Sequence, residues 1–272
     1  MAENKGVSDP KWTMKLLWRV AGPGKRGPKP TLDLDTIVAG AIAVADERGL
    51  GAVSMRSVAQ RLGKSTMSLY TYLPGKAELL DLMYDHALGE LPTEYSSYGA
   101  WRAALEASTR DVWALFDRHP WMLQVPIARP ALGPHTVAAY EAQLAILDGT
   151  GLTGTEMTRA AGALQVFIQG AARAVAKTRA AHVSGVTDDE WWDVHAPLLT
   201  DVSEHVDWLV RFPTLSRLEA EGTFEQPDRA PDDATPYLER DALDAFEFGL
   251  ARLLDGLEAL IGQRGSGQRS SG

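Results

Sequence analysis

Cysteine is absent from the 272 residues, which excludes disulfides, thiol nucleophiles and thiolate metal sites. No apolar run approaches the ~20 residues that span a bilayer. Lys5, Lys11, Lys15 and Arg19 break up any signal-peptide core at the N-terminus. The expectation is a cytoplasmic protein with no membrane partner. Nor does any stretch alternate apolar and polar residues between turn signals, so no strand is predicted. The six histidines show neither an HExxH pattern nor clustered ligand spacing. Only His195 and His205, among Asp193, Asp201, Glu204 and Asp207, group donors of the kind a metal takes, and no metal site or cofactor is predicted. Gly149-Thr150-Gly151-Leu152-Thr153-Gly154 spells GxGxxG, but a helix precedes it where a dinucleotide fold needs a strand, so it reads as an interhelical turn. Gly22 to Lys29 is no phosphate loop, because Lys25 is misplaced and no hydroxyl follows. No catalytic constellation remains, and the chain is not read as an enzyme.

What is present is uneven charge. The net charge is −9, which taken alone argues against a polyanionic partner. Yet residues 11–30 carry six cations and no acid, while residues 201–241 carry eleven acids against four arginines. A basic head on an acidic body suggests nucleic acid.

From Leu32 to about Ile261 the chain has helical periodicity, and the fold class is all-α. Residues 1–31 read as a flexible basic arm, in which Trp12, Leu16, Leu17 and Trp18 form one amphipathic turn able to dock. Residues 32–80 read as a DNA-binding unit, 81–262 as a larger helical body, and 263–272 as a disordered tail of Gly, Ser, Gln and Arg. Helices are expected at about 33–48, 55–62, 66–72, 76–88, 100–118, 134–147 and 154–181. Thr187-x-x-Glu190 opens another stretch, broken near Pro197. Residues 211–236 read as an acidic, proline-rich loop before a last helix at about 238–261.

The segment from Val53 to Tyr72 follows helix-turn-helix logic. Met55, Val58, Ala59 and Leu62 bury one face, Gly63 permits the turn, and Leu69 anchors the second helix. Thr66, Met67, Ser68, Thr71 and Tyr72 are left outward, short enough to approach base edges. Arg56, Lys64 and Lys76 supply positive charge for phosphates. An ordinary helix pair in a bundle is the alternative.

These residues carry a resemblance. Asp46-Glu47-Arg48-Gly49-Leu50, Ser54 through Gly63, Leu69-Tyr70-x-Tyr72-Leu73 and Lys76-x-x-Leu79-Leu80 resemble the DNA-binding domain of the tetracycline-repressor (TetR) family. His119-Pro120, Arg129-Pro130, Glu141-x-Gln143-Leu144 and Phe248-Gly249-Leu250 are similar in order and spacing to the tetracycline-repressor class of C-terminal domain. The resemblance implies that Arg56 contacts a base or phosphate and that Thr66, Ser68 and Thr71 read base edges. It also implies phosphate contacts by Tyr70, Tyr72 and Lys76, although Tyr70 also suits core packing beside Leu69.

Lys25, Arg26 and Lys29 lie on a thin Gly-Pro strand that fits a narrow minor groove; a solvated tail is the alternative. On the last helix Leu243, Phe246, Leu250, Leu253, Leu257 and Leu260 form a 3-4-3-4-3 stripe. The family reading makes it, with the alanine-rich 154–181 helix, a four-helix bundle between two copies; a plain core is the alternative. A homodimer predicts a palindromic operator on double-stranded DNA. For a small-molecule effector the candidates are Trp113, Phe116, Trp121, Met122, Ile127 and Phe167, with Arg129, Gln143, Gln165 and Gln169 as polar groups. Arg129 and Gln143 match polar pocket positions of tetracycline-binding members. The histidine by which those members hold magnesium is missing near Pro126-Ile127, so a metal-free, largely apolar or aromatic effector is expected. The combined expectation is a ligand-released repressor. The alternatives are an enzyme or carrier on the same fold, or a weakly specific architectural DNA-binding protein.

Overall fold

A computed structural model of the chain describes residues 10–20, 32–125, 131–183, 188–223 and 235–269. Among them every regular element is helical. The helices are α1 (Pro10–Leu17), α2 (Leu34–Arg48), α3 (Met55–Arg61), α4 (Thr66–Tyr70), α5 (Lys76–Leu88), α6 (Trp101–Arg118) and α7 (Pro134–Leu147). They continue as α8 (Gly154–Val183), α9 (Asp188–His205), α10 (Trp208–Arg211), α11 (Pro213–Ala220) and α12 (Tyr237–Arg269). The chain divides into two compact units, Met1–Ala172 with Gly249–Gly272, and Arg173–Phe248.

Local chemistry sets the first helices. Asp33 caps α2 by accepting from Thr36 N–H at 2.8 Å, and Ile37, Val38, Ala41, Ile42 and Ala45 are all buried, as their periodicity requires. Gly49, at φ 78°, ends the helix in a conformation that side chains with a Cβ avoid. Ser54 and Ser57 form a reciprocal capping box at α3, and Ser65 caps α4. Gly63, at φ 64°, makes the turn between them. Ala59 is buried where α3 crosses its neighbours, and Gly40 on α2 approaches Leu62 so closely that a Cβ would lie 3.0 Å from it.

The body is built on α5. Asp85, buried on α5, accepts from the Thr136 N–H at 2.8 Å and from its hydroxyl at 2.9 Å. A side chain of a different helix thus caps the N-terminus of α7. Gly133 leaves room for that carboxylate, since a Cβ there would lie 2.2 Å from it. Gly249 on α12 lies almost as close to Phe167 of α8, its Cβ position lying 2.5 Å from the ring. Arg102 ties α6 to α12 through Asp255 and Glu258.

Several expectations need correction. The docking turn near residue 12 is a helix of two turns, α1. Its C-terminus closes with Val20 N–H on the Lys15 carbonyl and Arg19 N–H on that of Leu16. Arg19 takes the left-handed position (φ 50°), at a cost of about 1–2 kcal/mol for a residue with a Cβ. The second helix of the DNA-reading pair stops at Tyr70 rather than 72. Pro197 lies inside α9 without breaking it. Residues 213–220, read as loop, form α11, opened by Pro213 at a first-turn position where its missing N–H is no loss. The last helix runs on to Arg269 through residues expected to be disordered. Arg264 reaches Glu156 of α8, and that anchor supports the extra turns. Lys25, Arg26 and Lys29 of the arm, and Thr187 of the second capping box, lie outside the described residues.

The Glu156 carboxyl accepts from Arg264, and from the Thr153 backbone and hydroxyl at 2.8 Å. In that order of importance these bonds hold its pKa down to about 2, from an ordinary 4.5. A depressed carboxylate contributes stability above its unfolded value and loses it as pH falls through the folded one. The anchorage of α12 on α8 should therefore weaken between about pH 4.5 and about pH 2. Melting temperatures across this window should fall more steeply for the wild type than for Glu156→Gln.

Candidate DNA-reading face and effector cavity

The α3–α4 pair presents the expected face. Arg56, Lys64, Met67, Tyr70, Thr71 and Lys76 are exposed, Thr66 and Ser68 are half-buried, and Leu69 is fully buried beneath them. Met67 is 74% exposed, a large apolar side chain held in water at the centre of this face. Two hydroxyls are engaged internally. Ser68 Oγ lies 2.8 Å from Ser65 Oγ within the cap, and Tyr72 donates to the Leu32 carbonyl at 2.7 Å. The Tyr72 bond fixes the residue that leads into α2, and it leaves the phenol only its lone pairs to offer. Tyr70 points away from the core, 47% exposed. Lys76 stands at the first position of α5, where the helix dipole also favours an anion.

The second feature is a cavity of about 450 Å3 between α5, α6, α7 and α8. Its apolar wall includes Leu88, Leu91, Val112 and Ala161. Polar groups enter from Tyr84, Tyr95, Ser108, Thr136, Tyr140, Gln143, Gln165 and Gln169. No charged side chain is among the described lining residues. Tyr95 donates to Asp111 at 2.9 Å, and burial together with that carboxylate pushes its phenol above the ordinary tyrosine range. It is a neutral hydroxyl at any physiological pH.

Three of the predicted polar residues, Gln143, Gln165 and Gln169, do line this cavity. The predicted aromatics lie elsewhere. Phe116, Trp121 and Met122 are buried in close packing, and Trp113 is half-buried, but none lines the cavity. Phe167 lies beside Gly249 in a shallow apolar groove of α8 and α12, with Ala163, Val166 and Leu253. Ile127 and Arg129 lie outside the described residues. The tyrosines were missed. Their signal was present: Tyr84 and Leu88, like Tyr140 and Gln143, sit at helical spacing on otherwise apolar faces. His195 and His205 each use Nδ1 on the carbonyl four residues earlier, and the His195 ring stacks on Trp191 at 4.0 Å.

Trp121 has a different role. Its indole N–H donates to Asp46 Oδ1 at 2.7 Å, and His119 Nδ1 lies 2.7 Å from the same oxygen. His119 Nε2 is 2.9 Å from Glu90, which also receives Arg118 at 3.0 Å. Asp46 closes α2, Glu90 follows α5, and the ring and indole follow α6. The cluster therefore joins the DNA-reading unit to the body, with His119 and Trp121 buried and the two carboxylates at the surface.

The family can now be stated. Residues 37–83 match the family model for bacterial regulatory proteins of the tetR family, and residues 94–261 match the tetracyclin repressor-like C-terminal domain. The chain belongs to the TetR family of bacterial transcriptional regulators. α1 precedes both matched segments. The chain is 43% identical over 265 residues to the HTH-type transcriptional repressor DrrR1 of Streptomyces coeruleorubidus, covering 96% of this chain and 90% of that protein. It is 31% identical over 146 residues to an HTH-type transcriptional regulator of Saccharopolyspora erythraea, covering 54% of this chain and 62% of that one. Among solved structures it is similar to ActR of Streptomyces coelicolor in complex with actinorhodin. That likeness has a TM-score of 0.63 at 27% identity, over 85% of this chain and 97% of that one. Among the described residues no helix is long and apolar enough to cross a membrane.

Asp46→Ala leaves two nearly buried donors without their acceptor, which costs about 2–4 kcal/mol. Urea unfolding should show that loss, with Asp46→Asn, which keeps one acceptor oxygen, intermediate.

Proposed function

We propose that the chain is a repressor that binds a palindromic operator as a homodimer and leaves it when a neutral, aromatic small molecule with polar edges fills the cavity. The observation that carries this is the sharing of α5. Its first residue, Lys76, stands beside the DNA-reading face, while Tyr84 and Leu88, two and three turns on, line the cavity. An occupant that displaces one end of a rigid helix displaces the other, and it acts on DNA only as far as it prefers the displaced state.

The effector class follows from the lining. Apolar walls reward burial of a ring system, while glutamine amides and neutral phenols satisfy carbonyl and hydroxyl groups at its rim. Among the described residues the lining carries no charge, which favours a neutral occupant. The DrrR1 likeness supports the repressor reading, and the ActR likeness supports a small-molecule effector. Actinorhodin, found with ActR, is the first compound to try.

For the dimer, Phe246 and Leu250 of the predicted stripe are already buried within the protomer. The faces offered to a second copy are those left open, Ala163 and Val166 on α8 with Leu253 on α12, around the close Gly249–Phe167 approach. Leu257 and Leu260, half-buried, extend this face.

Selection of sites from a random duplex pool tests the reading. A palindrome with half-sites about 34–36 Å apart is expected; enrichment of no sequence by the full chain would overturn it. On the selected duplex, Lys76→Ala should weaken binding for all sequences alike and reduce the salt slope by about one. Thr66→Ala should relax preference at one base position instead.

A further inference from the structure

α1 is held through three consecutive residues. The helix packs on α5, and Leu17 is its one buried side chain. The Trp18 indole N–H donates to the main-chain carbonyl of Leu132 at 2.8 Å, and Leu132 lines the cavity just before α7. Arg19 Nε donates to Asp35 Oδ1 at 3.0 Å, in the first turn of α2. Each anchor is on a different element: the shared helix α5, the cavity rim, and the first helix of the DNA-reading unit.

Arg19 is the informative residue. Its Nη1 also donates to the Leu16 carbonyl at 2.7 Å, so one guanidinium both caps α1 and grips α2. It does so from a left-handed backbone position that favours glycine, and glycine there does neither. An exposed ion pair alone contributes little. Here it is rigidly related to the Trp18 anchor next to it, because the closed helix end leaves residues 17 to 19 no independent freedom.

We propose that α1 is a strap coupling the cavity rim at Leu132 to the first turn of α2. A shift of the rim moves Trp18, and Arg19 carries that shift to Asp35, beside and separate from the route through α5. By linkage the coupling is reciprocal. Only its regulatory consequence rests on the effector reading of the cavity; the coupling itself does not.

Amide hydrogen exchange on the full chain tests it with two substitutions. Trp18→Phe keeps a ring and loses the donor; Arg19→Gln keeps a polar side chain and loses the guanidinium and its charge. Each should accelerate exchange at its own anchor by about two- to tenfold, the equivalent of one hydrogen bond. The strap further requires crossed effects: Trp18→Phe accelerates residues 33–38, and Arg19→Gln accelerates residues 131–137. If each variant disturbs only its own anchor, α1 is a passive attachment and the proposal fails. Actinorhodin is then added to the wild type. Where it slows exchange at cavity-lining segments, it should also change residues 33–38, and that change should vanish in Trp18→Phe; its persistence there overturns the strap as a regulatory route. Where actinorhodin leaves the cavity segments unchanged, that compound fails as an effector, and the crossed effects decide the strap on their own.

Discussion

One carboxylate oxygen, Asp46 Oδ1, faces two nitrogen groups of the body, His119 Nδ1 and Trp121 Nε1. On it depends the registration of the DNA-reading unit against everything that follows. An acceptor shared between two buried rings tolerates little rotation, because movement that relieves one bond breaks the other. The unit is therefore held as a rigid body at the end of α2, while α5 leads from its far side into the body. A regulator needs such an arrangement: one fixed point and one lever. Without the fixed point, displacement of α5 would be dissipated in tumbling of a small domain.

The lever is stiffened by borrowed hydrogen bonds. Asp85 satisfies the N-terminus of α7 from the side of α5, so the two helices share a terminus as well as a packed face. Both line the cavity. On the proposed reading an occupant meets a wall whose two helices are tied together, and the Gly133 position shows how closely they are fitted.

The DNA-reading unit was legible in the sequence because its determinants are local. Asp33, Ser54 and Ser65 each cap a helix within three residues, and Gly49 and Gly63 each take the positive φ that their neighbours avoid. The cavity was only half legible. Gln143 was found because it matches a polar pocket position of the tetracycline-binding members, and Gln165 and Gln169 as polar groups of the same helical body. Phe116, Trp121 and Met122 were chosen as apolar or aromatic residues, and that character does not say whether a side chain meets a void or another side chain; that is decided by the angle at which helices cross. The indole of Trp121 was read as a ligand surface when its N–H had a carboxylate 75 positions away in the chain. The same long range explains α12, whose last turns have poor intrinsic propensity and an anchor on Glu156.

The bond between Trp18 and residue 132 is made to a main-chain carbonyl, which every amino acid carries. The Leu132 side chain helps shape the cavity, yet its identity is irrelevant to the grip of α1. Replacements at this position can reshape the chemical preference of the cavity while the mechanical attachment persists. On the proposed reading, recognition and transmission are separable under mutation at the very residue where they meet, so that what is sensed could change without rebuilding the response.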